Sequence, residues 1–225
     1  AQKESRLPQG SSPLFLILFA ARQPRHMQRQ IGGFLVGQKH AVLAQHKGAY
    51  FFRAGHRCRI ILLHLLEQDA PYDFTAAFLV QEEVGLRGAK AAAYTVDPDF
   101  ALVLEATTAA DIAGAEEDAK VCCLGGGPVV SFMDRSTIYD KELYRMAFSL
   151  AEKNGISCQT KSRIAGGNDS GAIHVSRGGV RTLAISLPCR YLHSPSCLAD
   201  LNDLDACTAL LPLLVKSIME EVSTI

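Results

Sequence analysis

The chain has 225 residues, of which 48% are hydrophobic and 20% charged. This is enough apolar material for one large folded domain and excludes a disordered chain. Lysine plus arginine and aspartate plus glutamate both total 23, so the formal net charge is zero. Because nucleic-acid-binding domains normally carry a basic excess, this balance argues against that class of protein.

The seven cysteines are an odd number, lie scattered through apolar segments and include no CxxC pair. A disulfide framework would need an even set in a short secreted chain. The cysteine pattern therefore predicts a reducing, cytoplasmic environment.

The first 55 residues lack regular periodicity, and we treat 1–55 as a poorly determined segment. It contains the apolar run of "SSPLFLILFAARQPRH" (11–26), which resembles the core of a signal peptide. The run lacks a small-x-small cleavage site, and about nine apolar residues cannot span a bilayer. We expect a buried strand here and no membrane partner.

From residue 56 onward, predicted helices and strands alternate, which favours one α/β unit over 56–225 with a mostly parallel mixed sheet flanked by helices. Short strands are predicted in "KVCCL" (120–124) and "PVVSFMD" (128–134), on either side of a glycine turn at 125–127. The helix at 140–155 begins at an Asp and ends at Asn-Gly, as capping rules require. The other predicted helices are 59–68, 86–96 and 201–222, and the other predicted strands are 74–80, 100–106 and 180–188.

Acidic and imidazole groups follow three of these strands. Glu82 and Glu83 follow the strand 74–80, Glu105 closes the strand at 100–106, and His193 follows the strand 180–188. Sites in open α/β sheets gather beyond the carboxyl ends of strands. Because consecutive residues point to opposite sides, one glutamate could bind a metal while its neighbour moves protons, as metal-assisted hydrolysis requires.

Each of these residues also has a structural interpretation. A glutamate pair is usually a solvated face, Glu105 alone is typical of a salt bridge, and a single histidine such as His193 or His174 is usually hydrogen-bonded structure. Asp169, in "GGND", suits a helix N-cap or a residue that orients metal ligands. Cys189, His193 and Cys197 are spaced as in a structural zinc site, although no fourth ligand is near them in sequence.

Five segments occur in an order that closely resembles the dinuclear metallo-aminopeptidase family of glutamyl, deblocking and tetrahedral aminopeptidases (cellulase M-like). They are "QEEVGLRGAKAAAY", "LEATTAADIAG", "LGGGPVVSFMDRSTIYD", "GGNDSGAIHVSRGGV" and "PCRYLHSP". The resemblance runs from about residue 53 to the C-terminus and implies a zinc-peptidase-like α/β fold.

The resemblance implies roles for four residues: Glu82 as the general base, and Glu83, Glu105 and His193 as metal ligands. It also implies two divalent ions per chain, zinc or cobalt, and peptides as substrates. Zinc and cobalt accept imidazole nitrogen and carboxylate oxygen, so the residue types suit these metals. The activity implied is removal of N-terminal residues from peptides by metal-activated water.

The N-terminal third departs from the family pattern. Phe51 and Phe52 stand where the resemblance places an Asp pair whose first member bridges both metals, and Gln28 follows His26 where a His-x-Asp element is expected. Neither phenylalanine has a donor atom, so we expect an impaired enzyme holding one ion or none unless His26 or His56 substitutes. The alternative is an inactive remnant of the fold that acts as a binding protein. The family's dimerisation domain has no counterpart here, so we expect no discrete large assembly.

Overall fold

The structure is a computed structural model that describes residues 15–20, 54–67, 74–194 and 196–223. The strands in these ranges are β1 (Phe15–Ala20), β2 (Phe74–Leu79), β3 (Phe100–Thr108), β4 (Val129–Val130), β5 (Gln159–Thr160) and β6 (Arg181–Cys189). The helices are α1 (Ala54–Glu67), α2 (Arg87–Val96), α3 (Lys141–Lys153), α4 (Ser170–Ile173) and α5 (Leu201–Ser223). The six strands form one sheet in the order β2-β1-β3-β6-β4-β5.

The predicted helices and long strands from residue 56 onward are confirmed to within a few residues, except that α1 begins five residues earlier, at Ala54. The apolar run near the N-terminus is also a strand, β1, which lies between β2 and β3. At α3 the capping prediction holds in detail, since the Asp140 carboxylate accepts hydrogen bonds from the backbone N–H groups of Glu142 and Leu143, both at 2.9 Å. Local periodicity and caps therefore predicted these elements well.

One predicted strand is wrong, and another is shorter than expected. Residues 120–124 form no ladder, because the N–H groups of Val121 and Cys122 both donate to the Ala109 carbonyl, at 2.9 and 3.2 Å. The Leu124 N–H donates instead to the Asp111 carboxylate at 3.0 Å. Of 128–134, only Val129–Val130 is a strand. Contacts with loops outside the sheet therefore satisfy the backbone hydrogen-bonding groups of residues 120–124, which the apolar pattern had predicted to pair as a strand.

The sheet is mixed, as predicted, although three of its five pairings among the described strands are antiparallel. β1 runs antiparallel to both β2 and β3, so β2 and β3 point the same way. β3 and β6 pair in parallel over their full length. The carboxyl ends of β2, β3 and β6 consequently lie at the same end of the sheet. We call this end, where the three strands terminate, the β2–β3–β6 edge.

The core lies around the two central strands. Every residue of β3 up to Thr107 is buried, and β6 is buried from Thr182 onward. Of the helices, α5 packs against α1, α3 and β6, whereas α2 packs against α4 and β2. Since both faces of β3 and β6 are buried, these two helix groups cover opposite faces of the sheet. In the part of the chain that the structure describes, no helix is both long and apolar enough to cross a membrane.

Candidate active site

The chain turns sharply at the β2–β3–β6 edge. Gln81, Ala110 and Tyr191 each lie two positions beyond a strand end, and each has a positive φ, of 62°, 58° and 63°. Non-glycine residues rarely adopt this left-handed conformation, which costs free energy and concentrates at functional sites. His193, two residues beyond Tyr191, is left-handed as well, with φ 65°. Four of the seven non-glycine residues with positive φ in the described part of the chain therefore lie at this edge.

A tight turn fixes the two adjacent glutamates after β2. The Glu82 carbonyl accepts hydrogen bonds from the N–H groups of Gly85 and Leu86, at 3.1 and 3.0 Å. The Gly88 N–H then donates to the Val80 carbonyl at 3.1 Å, and a Cβ on Gly88 would overlap that carbonyl oxygen. Glycine at position 88 therefore lets α2 begin directly against the end of β2, which holds Glu82 and Glu83 in place.

The structure brings two of the predicted ligands into contact. The Nε2 atom of His193 lies 3.1 Å from the Oε1 atom of Glu83. The two residues are far apart in sequence but follow the carboxyl ends of β2 and β6. Both side chains are partly open to solvent, so a small cation or a substrate could reach them.

Glu105 lies deeper, on β3, with 7% of its surface exposed. Its Oε1 atom accepts hydrogen bonds from Asn168 Nδ2 at 2.8 Å and from Ser186 Oγ at 3.1 Å. Burial raises the pKa of Glu105 to about 7, although the Lys161 charge and these two hydrogen bonds act in the opposite direction. Glu105 is therefore a buried, oriented carboxylate.

Glu82 and Asp169 complete an acidic group around Glu105. Burial, followed by the charges of Asp169, Glu83 and Glu105, raises the pKa of Glu82 to about 8. Burial, followed by the charge of Glu105, raises the pKa of Asp169 to about 7. Both carboxylate oxygens of Asp169 are buried and have no hydrogen-bond partner. Unpaired buried carboxylates close to one another are unfavourable unless protonated or balanced by a cation.

Two observations bear on whether this edge suits a divalent metal. The donor types, carboxylate and imidazole, and the uncompensated Asp169 oxygens suit zinc or cobalt. Within the described ranges, however, no group of three or more His, Cys, Asp or Glu side chains is arranged to hold an ion. The edge therefore fits a cation in charge and donor chemistry, and the Glu83–His193 contact has the spacing of two neighbouring ligands.

The structure also tests the predictions made for Asp169, for His174 and for a Cys/His zinc site. Asp169 directly precedes α4 but makes no capping bond, and the Asn168 side-chain oxygen instead accepts the Ser170 N–H at 2.8 Å. His174 Nδ1 hydrogen bonds with the Ser170 carbonyl at 2.8 Å, in line with its structural interpretation. The described residues also contain no three-ligand Cys/His group of the kind suggested by Cys189, His193 and Cys197. His26, Phe51, Phe52 and the side chain of His56 lie outside what the structure describes.

Three residues at this edge were missed by the sequence reasoning. Asn168 donates both to Glu105 and to the Tyr139 hydroxyl, at 2.8 and 2.9 Å, and Ser186 donates to Glu105 from the neighbouring strand. Lys161 is 5% exposed, and its charge lowers the pKa of Glu105. The "GGND" segment held the signal for Asn168, because a polar residue between a glycine turn and a buried helix must find a buried partner.

The chain is similar in sequence and in structure to several aminopeptidases. The chain is similar to an aminopeptidase from Desulfurococcus kamchatkensis, with TM-score 0.66 and 34% identity over 70% of this chain and 45% of that one. It is also similar to the TET1 peptidase of Pyrococcus horikoshii, which can assemble into a tetrahedron or an octahedral shell (TM-score 0.52, 37% identity, 63% and 40% covered). A curated relative, the lysyl aminopeptidase of Pyrococcus furiosus, is 30% identical over 80% of this chain and 50% of its own length.

These likenesses define the class of the protein as an aminopeptidase-type α/β fold. The chain belongs to the M42 glutamyl aminopeptidase family, whose model matches residues 52–210. It spans about half the length of the relatives it matches.

Proposed function

We propose that the chain carries the catalytic half of a metal-dependent aminopeptidase, which removes N-terminal residues from peptides. Membership of the M42 family and the likeness to solved aminopeptidases support the reaction class. The observation that carries the proposal is the 3.1 Å contact between Glu83 and His193, because it joins two residues of separate motifs at the sheet edge where α/β enzymes bind their substrates.

In this proposal Glu83, Glu105 and His193 hold a divalent ion, and Glu82 is the general base. The ion, zinc or cobalt, would lower the pKa of a bound water and polarise the peptide carbonyl. Glu82 takes a proton from the attacking water at its carboxylate and returns it to the leaving amine. Asn168 and Ser186 orient Glu105 through their hydrogen bonds to its Oε1 atom.

We further propose that catalysis is impaired in this chain. Phe51 and Phe52 occupy the positions at which the resemblance expects the bridging acid, and neither offers an oxygen. Loss of a direct metal ligand should cost more than the 10–100-fold typical of a residue that only orients a ligand. One weakly held ion, or none, is therefore expected.

The test is aminopeptidase turnover with added zinc or cobalt, measured on peptides with different N-terminal residues. The chain should turn over slowly or not at all, and replacement of both Phe51 and Phe52 by Asp should raise the rate.

Where turnover is measurable, Glu82→Gln should lower it by about 10²–10⁴-fold with unchanged metal content. Glu116→Gln, at an exposed glutamate, is the matched control. Turnover typical of the family from the unmodified chain would disprove the impairment. Full activity of Glu82→Gln would disprove the role of Glu82 as the general base.

The second candidate is a non-catalytic remnant of the fold that binds a partner. It is favoured by the absence, in the described part of the chain, of any three-residue metal-ligating group. Close to two divalent ions per chain after dialysis would indicate a fully competent enzyme, whereas one or none is expected of both the impaired enzyme and the remnant. Turnover separates these two, because replacement of Phe51 and Phe52 by Asp should raise the rate of an impaired enzyme and should leave a remnant inactive. We also propose a cytoplasmic location, on the grounds of the cysteine pattern.

A further inference from the structure

A pair of thiols lies at the base of the loop that carries His193. Arg190 and Leu198 form an isolated antiparallel bridge in which each N–H donates to the other's carbonyl, at 2.8 and 3.1 Å. Cys189 directly precedes one bridge partner and Cys197 the other. In an antiparallel pair these positions are diagonal neighbours on one face, close enough for their side chains to meet. After burial, Cys197 is the group that most raises the pKa of Cys189, as expected of two neighbouring thiols.

The two thiols differ in their access to solvent. Cys189 ends β6 and is fully buried, whereas Cys197 is only half-buried. Burial raises the pKa of Cys189 to about 12 and shields this thiol from reagents in solution. An oxidant therefore meets Cys197 first, and Cys189 is the nearby thiol that completes the reaction.

We propose that Cys189 and Cys197 form a reversible disulfide that closes the loop bearing His193. The loop already holds Tyr191 and His193 in the left-handed conformation and presents His193 to Glu83. Cross-linking its two ends removes conformational freedom from the chain between them. Disulfides in a reducing compartment are typically transient and redox-sensing, so the reduced pair is the resting form.

The oxidant in this reaction is a low-molecular-weight disulfide such as glutathione disulfide. The Cys197 thiolate attacks one of its sulfur atoms, which forms a mixed disulfide and releases glutathione thiolate. The Cys189 sulfur then attacks the Cys197 sulfur, the protein disulfide forms, and the second glutathione leaves. The proton of Cys189 goes to that leaving thiolate. Two protein thiols are oxidised and one glutathione disulfide is reduced to two thiols.

The direct test is peptide mapping of the full chain after reduction and exposure to glutathione disulfide. Trypsin cleavage after Arg181, Arg190 and Lys216 puts Cys189 in peptide 182–190 and Cys197 in peptide 191–216. The second peptide also contains Cys207, so fragmentation between positions 197 and 207 must locate the bond. We expect one cross-link between these peptides, at Cys197, that is reversed by a thiol reductant. It should disappear in Cys197→Ser and persist in Cys123→Ser, which changes an exposed thiol outside the pair.

A second measurement tests closure of the loop and does not depend on the proposed enzymatic activity. Hydrogen exchange of the amides over 190–198 should slow by about tenfold or more in the oxidised chain, because opening this segment would strain the new bond. Oxidation of Cys197→Ser should leave the exchange unchanged. Cys189 and Cys197 both remaining alkylatable after oxidation, a bond from Cys189 to Cys122 instead, or unchanged exchange in the cross-linked chain would each overturn the inference. None of these outcomes would affect the proposed aminopeptidase function.

Discussion

Glu105 shows how much a single residue depends on its neighbours at this edge. Its carboxylate is buried, yet Asn168 and Ser186 both donate to the same oxygen. Hydrogen bonds to charged groups contribute about 1.5–3 kcal/mol each. Because a glutamine at this position keeps an oxygen that can accept both bonds, the charge of Glu105 can be tested separately from its shape.

Glu105→Gln should leave the melting temperature of the metal-free chain unchanged or slightly higher, since it removes a buried charge and preserves the acceptor. If Glu105 is a metal ligand, the variant should lose the stabilisation that zinc gives the unmodified chain. At a zinc concentration about 100 times the dissociation constant, that stabilisation amounts to about 2.7 kcal/mol. Thermal unfolding with and without zinc is the measurement. The exposed Glu116→Gln is the control, and an undiminished zinc effect in Glu105→Gln would show that Glu105 does not bind the ion.

Asp140 connects the start of α3 to the rest of the fold. Beside its capping bonds, its carboxylate accepts hydrogen bonds from Arg181 Nε at 2.7 Å and from Arg181 Nη2 at 3.2 Å. Arg181 also pairs with Glu142 and Glu221, so one guanidinium joins the beginnings of β6 and α3 to the end of α5. Partial burial acts to raise the pKa of Asp140, but the bonds from Arg181 and the helix N-terminus outweigh it and hold the pKa below its ordinary value.

A depressed pKa in the folded state means that the ionised form of Asp140 stabilises the fold. This contribution is fully present above the unfolded-state pKa of about 3.9 and disappears as the pH falls through the lower folded-state value. Asp140→Asn keeps an oxygen for capping but loses the charge, so it should destabilise the chain at pH 7 by about 1–2 kcal/mol. Urea unfolding from pH 7 to pH 2.5 should show that difference shrinking below about pH 4. A difference independent of pH would contradict the ion-pair assignment.

At the scale of elements, the junction between β2 and α2 determines where the two glutamates lie. The helix begins so close to the strand end that a side chain at position 88 would meet the Val80 backbone. Backbone atoms cannot move aside as a flexible side chain can. The glycine is therefore a requirement of close packing, since its φ is not in the left-handed region.

Gly88→Ala should destabilise the chain by about 1–3 kcal/mol, the range for overpacked sites. Gly178→Ala is the matched control, because a Cβ there meets no atom within 4 Å and the backbone conformation is ordinary. Chemical unfolding of both variants gives the comparison. Equal stability of the two variants would mean that α2 shifts without penalty, and the fixed geometry of Glu82 and Glu83 would then be wrong.

At the scale of the whole molecule, assembly is the open question. A structurally similar peptidase can assemble into a tetrahedron or an octahedral shell, whereas this chain spans about half the length of its relatives and matches the family model over residues 52–210. We expect a monomer or a polydisperse oligomer of the 225-residue chain. Light scattering coupled to size-exclusion chromatography tests this, and one sharp species of twelve subunits would contradict it.

Sequence alone determined the local elements of this protein. The helices α3 and α5 and the strands β3 and β6 were predicted because apolar periodicity and caps act within a few residues. The order of the five motifs was enough to identify the family, and Glu82, Glu83, Glu105 and His193 were selected from those motifs. None of this required knowing how the strands pair.

Only the tertiary structure decided what depends on contacts between distant residues. It inserted β1 between β2 and β3, left residues 120–124 outside the sheet, and brought His193 to Glu83. It also supplied Asn168 and Ser186 as partners of Glu105, from 63 and 81 positions away. Strand pairing and buried hydrogen bonds are settled by competition among all available partners in the folded chain, and no local pattern records which partner wins.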